Sequence, residues 1–245
     1  MKKCLLSVVA LFISGFTLAA NNTEKSTELS SLLAPYDEWY FDFVYPKALP
    51  AVVTYAELLD TDGVFYRFRT LDGTKPSKSS IGKWGDKLGF GLTAFNKAKN
   101  PPQFIHFCWD SVIDKKVYET RITFSSDVWK LMLTPYFAPY DEVESAYHNG
   151  AKGEQRYHRF MVIGLAPEGK VRVWLQNSRK PNIELTDILV ETVSGNKLEM
   201  CKNITRHPDG YIYYGEIPEF IKGKNILTGN GEFLFTLSSH YSLVL

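Results

Sequence analysis

Cysteine is scarce, with three in 245 residues. The first, Cys4, comes before the apolar run rather than after it. A lipid-modified export signal needs its cysteine directly behind small residues, and here Ala19 and Ala20 lead into Asn21 instead. A lipid anchor is therefore not expected. Histidine is also sparse: the five, at positions 106, 148, 158, 207 and 240, include no pair one helical turn apart with a glutamate between them, which excludes the zinc-protease pattern. No Gly-x-Ser-x-Gly elbow is present, so the α/β-hydrolase pattern is excluded too. The formal net charge of +1 comes without a basic run. That gives no electrostatic case for nucleic acid or for an anionic membrane surface. No apolar stretch reaches the roughly 18–20 residues of a spanning helix. No metal and no cofactor is expected.

The amino terminus has the three parts of a cleavable secretory signal. Lys2 and Lys3 are positive, residues 5–18 are largely apolar, and Ala19 and Ala20 precede the polar run that starts at Asn21. The reading is a signal over residues 1–20, a polar leader over 21–35, and one β-rich domain over 36–245. It predicts a periplasmic protein with no membrane span once the signal is removed.

Aromatics make up 14% of the chain, a composition suited to half-buried sheet faces. Trp39, Phe41 and Phe43 alternate along a first strand that Asp42 interrupts and Pro46 ends. Two apolar runs flank Asp60-Thr61-Asp62-Gly63, which predicts a hairpin. A calcium loop would need a further oxygen ligand before the glycine and a distal glutamate, and both are missing. Residues 72–100, rich in Gly, Lys and Ser, read as a long loop or weakly paired edge.

Residues 103–110 form a strong strand, with Ile105, Phe107 and Trp109 on one side and Phe104, His106, Cys108 and Asp110 on the other. Residues 115–124 read as its antiparallel neighbour. Ser126 is expected to cap one short helix over 127–133, with Pro135 beyond its end. Residues 134–154 read as a mobile loop. Further strands are expected at 156–165, at 170–176 across the Pro167-Glu168-Gly169 turn, and near 183–191, 211–217 and 232–245. Many short strands and a single helix predict an all-β fold, mostly an antiparallel β-sandwich or an open barrel.

The candidate contact residues cluster in two loops. Trp84 stands among Lys83, Gly85, Asp86 and Lys87. Tyr136, Tyr140, Asp141, Glu142, Glu144 and Tyr147 lie together in 134–154. Neighbouring carboxylates on a mobile loop lack the rigid placement that acid–base catalysis needs, whereas tyrosines beside acids suit a protein-contact surface. His148 reads as a solvated loop histidine and His158 as a strand-edge histidine, rather than as metal ligands. His106 and Asp110 share a strand face and could pair as catalytic groups, or form a satisfied polar cluster beside Cys108. Cys108 and Cys201 are either bridged, which would close a long loop and stabilise by up to ~4 kcal/mol, or two separate buried thiols. Both readings stay open.

The stretch Trp39-Tyr40-Phe41-Asp42-Phe43 through Tyr45-Pro46 resembles the start of a proteobacterial family known as domain of unknown function 2931. Residues 102–111, the helix around Trp129 to Met132, and above all 156–176 with Gly164-Leu165-Ala166-Pro167-Glu168-Gly169 carry the same resemblance. It covers most of residues 36 to about 214 and rests on scattered aromatics and one turn. The resemblance implies an envelope protein, commonly a lipoprotein, a point on which this sequence departs. It implies no catalytic residues. Relatives encoded beside lipase-type antibacterial effectors imply periplasmic immunity proteins. The expectation is thus an exported, non-enzymatic binding protein whose partner is a secreted effector, a phospholipase by this resemblance. The alternative is an envelope- or carbohydrate-binding sandwich in which Trp84 stacks on a sugar.

Overall fold

A computed structural model describes residues 32–47, 49–77 and 93–204. The expected signal, most of the leader, Trp84 and the strands expected near 211–217 and 232–245 lie outside these residues. Among the described residues the chain is mostly β-strand, in two large sheets and one two-stranded sheet, none closed into a barrel, in keeping with the all-β fold expected from the sequence.

The first sheet is built around β1 (Trp39–Tyr45), which pairs in parallel with β10 (Phe160–Ala166). Beyond β10 lie β11 (Lys170–Leu175) and β12 (Ile183–Glu184), both antiparallel. On its other side β1 meets the short β4 (Lys75–Pro76) and β5 (Lys97–Ala98). The parallel pairings make this sheet mixed. The second sheet is wholly antiparallel, in the order β13 (Ile188–Ser194), β7 (Lys116–Phe124), β6 (Pro102–Ser111), β2 (Ala51–Asp60) and β3 (Phe65–Phe68).

Period-2 patterning explains why the sheets face each other. Trp39, Phe41 and Phe43 of β1, and Ile105, Phe107 and Trp109 of β6, are all fully buried in one core. Phe43 meets Phe107 across the core at 5.0 Å between ring centroids, and Phe41 meets Phe68 edge-on at 5.2 Å. Each such side chain contributes roughly 1.5–3 kcal/mol by leaving water. Asp42, on the opposite side of β1, is also fully buried and is neutralised by Lys75 at 2.8 Å.

The predicted hairpin forms at Asp60. Its buried carboxylate accepts from the backbone N–H of Asp62 and of Val64, both at 2.9 Å, and Gly63 takes the left-handed conformation that the turn requires. Asp72 does similar work at the base of the 72–100 segment. It accepts from the N–H groups of Ala94, Phe95 and Asn96. Burial pushes its carboxyl up, but these donors outweigh burial and hold it below the ordinary range.

Several expectations change. The helix α1 (Ser126–Leu133) starts one residue early, so its N-cap is Ser125, which makes no side-chain capping bond. Residues 134–154, read as a mobile loop, contain the strand β8 (Tyr136–Pro139), a second helix α2 (Glu142–Tyr147) and the start of β9 (Gly153–Arg156). Asp141 nucleates α2 by accepting from Glu144 N–H at 2.9 Å, a cap that requires the chain to be turned there first. The strand expected over 156–165 is broken, because β9 pairs with β8 while β10 joins the first sheet. The strand expected near 183–191 is split between the two sheets, as β12 pairs with β11 and β13 with β7.

The outer face of β6 and β7 is covered by a 3₁₀ turn, Met200–Asn203. Cys201 in that turn is bridged to Cys108, with Cα atoms 5.4 Å apart and 93 residues of separation. Glu119, opposite Cys108 in the ladder, accepts from the N–H of Glu199 at 2.8 Å and of Cys201 at 3.0 Å. The covalent bridge and this carboxylate hold the same turn.

Candidate functional site

The hairpin of β8 and β9, with α2 between them, forms an arm that the chain attaches to the first sheet at a few polar and aromatic points. His158, expected at a strand edge, lies in the link from β9 to β10 and is buried. Its ring stacks on Tyr136 at 4.1 Å and its Nδ1 lies 3.1 Å from the Gln176 carbonyl oxygen. Burial holds its pKa below the usual histidine value. The loop after β11 supplies the other attachments: Ser178 N–H donates to the Tyr136 hydroxyl at 3.3 Å, and Arg179 pairs with Asp141 at 2.7 Å and with Glu144.

These attachments divide the residues expected to contact a partner. Tyr136 is an anchor of the arm. Tyr140 stacks on His148 at 4.4 Å, so His148 too has a packing role. Asp141 and Glu144 are engaged by Arg179, and the helix cap together with that guanidinium lowers the Asp141 pKa. Glu142 and Tyr147 remain exposed. Two apolar residues outside the expected contact set stand with them: Val143 and Phe137 are 66% and 57% exposed, beside 83% for Tyr147. Alternation along β8 was the available signal for Phe137, since Tyr136 and Ala138 point inward while Phe137 points out. Trp84 lies outside the described residues.

Between the arm and the first sheet runs a cleft of about 520 Å³. Tyr136, Gln155 and Arg156 line it from the arm; Tyr36, Tyr157 and Arg159 are among the residues lining it from the body. The Tyr36 and Tyr157 rings meet at 5.5 Å. The Tyr36 hydroxyl is shielded and has no hydrogen-bond partner among the described residues. Burial pushes its pKa well up, with Arg159 opposing weakly.

The profile of the family described as "Protein of unknown function (DUF2931)" matches residues 19–212. The chain belongs to this family. No curated protein and no solved structure matches it. The DUF2931 stretch that carried most of the resemblance, 156–176, spans the His158 link, β10, the turn and β11. Gly169 in that turn is left-handed, and a side chain there would come within 2.9 Å of the Tyr118 ring. Asp114 of the neighbouring hairpin accepts from Glu168 N–H at 2.6 Å and from the Tyr118 hydroxyl at 2.9 Å. The turn is thus a junction between the two sheets, a structural role.

The pair considered for catalysis does not form. His106 and Asp110 are four residues apart on one strand, roughly 13 Å at 3.3 Å per residue. His106 Nε2 instead lies 2.8 Å from Glu119, whose other oxygen is occupied by the Met200–Asn203 turn. Burial raises the Glu119 carboxyl, but the backbone donors and His106 more than offset this and its pKa is lowered. Among the described residues no group of three or more His, Cys, Asp or Glu is placed to hold a metal ion, and no helix is long and apolar enough to cross a membrane.

Proposed function

We propose that this DUF2931 protein is a non-enzymatic binding protein of the periplasm that neutralises a secreted lipase-type effector by docking against it. One observation carries the binding reading. Phe137, Val143 and Tyr147 expose apolar surface together on a short arm whose base is tied down by His158, Ser178 and Arg179. Exposed apolar residues on a pre-formed frame lose little entropy on docking and are the residue types that dominate interface energies. An interface of standard size needs about 800 Å² per partner, so the arm would serve as its centre and neighbouring loops as its rim. The lipase-type partner and the immunity role rest on the family resemblance.

The test mixes the processed protein with each purified lipase-type effector that its own genome encodes. A tight equimolar complex that suppresses lipase activity is expected. The variant Phe137→Ser/Val143→Ser/Tyr147→Ser should keep the wild-type melting temperature and lose the complex. A complex that this variant retains unchanged would refute the arm as the docking surface. No complex with the intact protein would refute the immunity role.

A further inference from the structure

We infer that the cleft between the arm and the first sheet is a binding site for a small acidic saccharide, a ligand that is both polyhydroxylated and carboxylated. The inference concerns residues other than the exposed arm tip and stands independently of the proposed effector.

Three features define the ligand class. The first is a set of braced aromatic faces. Tyr136 is stacked on His158 at 4.1 Å, while Tyr157 and Tyr36 brace each other at a tilt, 5.5 Å apart, and Tyr40 stacks on Phe160 at 5.4 Å. A ring supported from behind, as Tyr136 is, presents a face without further ordering, and the C–H face of a pyranose packs flat on such a ring. The second feature is spare amide capacity. Gln155 and Gln176 line the cleft, and neither side-chain amide has a hydrogen bond among the described residues; only the Gln176 backbone is engaged. An amide offers donors and an acceptor together, which matches hydroxyl groups better than it matches an apolar ligand.

The third feature is charge. Glu154 also lines the cleft but is neutralised by Arg156, whereas Arg159 is exposed and, though near enough to Glu38 to act on it electrostatically, makes no direct ion pair among the described residues. Its guanidinium lies over the Phe160 ring at 5.5 Å, which holds the fork beside an aromatic face. A carboxylate is the group such a fork pairs with in two-point geometry. The volume of about 520 Å³ lies within the usual range for small-ligand sites and suits a short oligosaccharide.

The experiment is a calorimetric titration of the full processed protein with digalacturonic acid, alongside neutral digalactose and a glutamate tripeptide as comparison ligands. Saturable one-site binding of digalacturonic acid is expected, with both comparison ligands much weaker. Arg159→Ala should weaken that binding by about tenfold, and Gln155→Ala by a smaller factor. Both positions are exposed, so the melting temperature should not move. Absence of saturable binding, equal binding of the neutral disaccharide, tighter binding of the tripeptide, or an Arg159→Ala variant that binds like the parent would each overturn the inference.

Discussion

The core between the sheets and the arm are held by opposite means. The core is aromatic, with Trp39, Phe41, Phe43, Phe107 and Trp109 fully buried, and its outer flank is closed by a disulfide. The arm has no fully apolar interior of its own: α2 contains no buried residue. It depends on one ring stack, one guanidinium between two carboxylates, and a few hydrogen bonds to the 176–179 loop. Such interactions are individually weak and partly exposed. The difference places stability in one region and adaptable contact surface in the other, the usual division between scaffold and binding loop.

That contrast can be broken from its strong side first. Phe43→Ala removes a ring that spans the two sheets and should cost about 3–5 kcal/mol, read from urea unfolding. A loss close to zero would mean that the two sheets do not depend on one another. Next in size is the disulfide. Cys108→Ala with Cys201→Ala should lower stability by up to ~4 kcal/mol in the chain-entropy view. Protease sensitivity should rise around residues 195–203 and not around 134–156. Equal sensitisation of the arm would show that the two regions are coupled.

The smallest effect is the most discriminating, because the two regions should respond to acid at different points. His158 has its pKa depressed below 6.5 in the folded protein by burial. The unfolded state therefore takes up the proton first, and the stability His158 contributes is present above pH 6.5 and lost as pH falls below it. Glu119 has its pKa lowered from 4.5. Its contribution is present above pH 4.5 and is lost only as pH falls from there through the folded value. Limited proteolysis between pH 7.5 and 5.5 should thus loosen the arm and leave the Met200–Asn203 turn intact. His158→Phe, which retains a ring against Tyr136 but cannot titrate, should abolish that loss. If the arm and the turn loosen together near pH 4, the anchoring role of His158 is wrong.

The body of the fold was legible because its signals are local. Alternation in 39–43 and 103–110 predicts which side of each strand faces the core. The Asp-Gly turn predicts the hairpin between β2 and β3, and the polar Asp42 marks the side that needed Lys75. The arm was not legible in the same way. Gly150, Gly153, Pro135 and Pro139 signal loop, and the six-residue α2 is too short to show a period; its cap matters only once β8 and β9 have paired. The tyrosines and acids of 134–147 could be grouped only by proximity in the chain. Sequence could not show that Arg179 and His158, from other segments, occupy some of them and leave Phe137, Val143 and Tyr147 facing water.

The sequence by itself determined that this is an all-β chain with aromatic-lined sheets, because strand alternation and turn chemistry act over a few residues. It left the two cysteines undecided between a bridge and separate thiols, since only the three-dimensional path brings residues 93 positions apart to a Cα distance of 5.4 Å. The tertiary structure also decided that His106 meets Glu119 rather than Asp110, and that a cleft opens between the arm and the first sheet. Each of these depends on which strands become neighbours. Pairing is set by packing over the whole core, and no single segment carries that information.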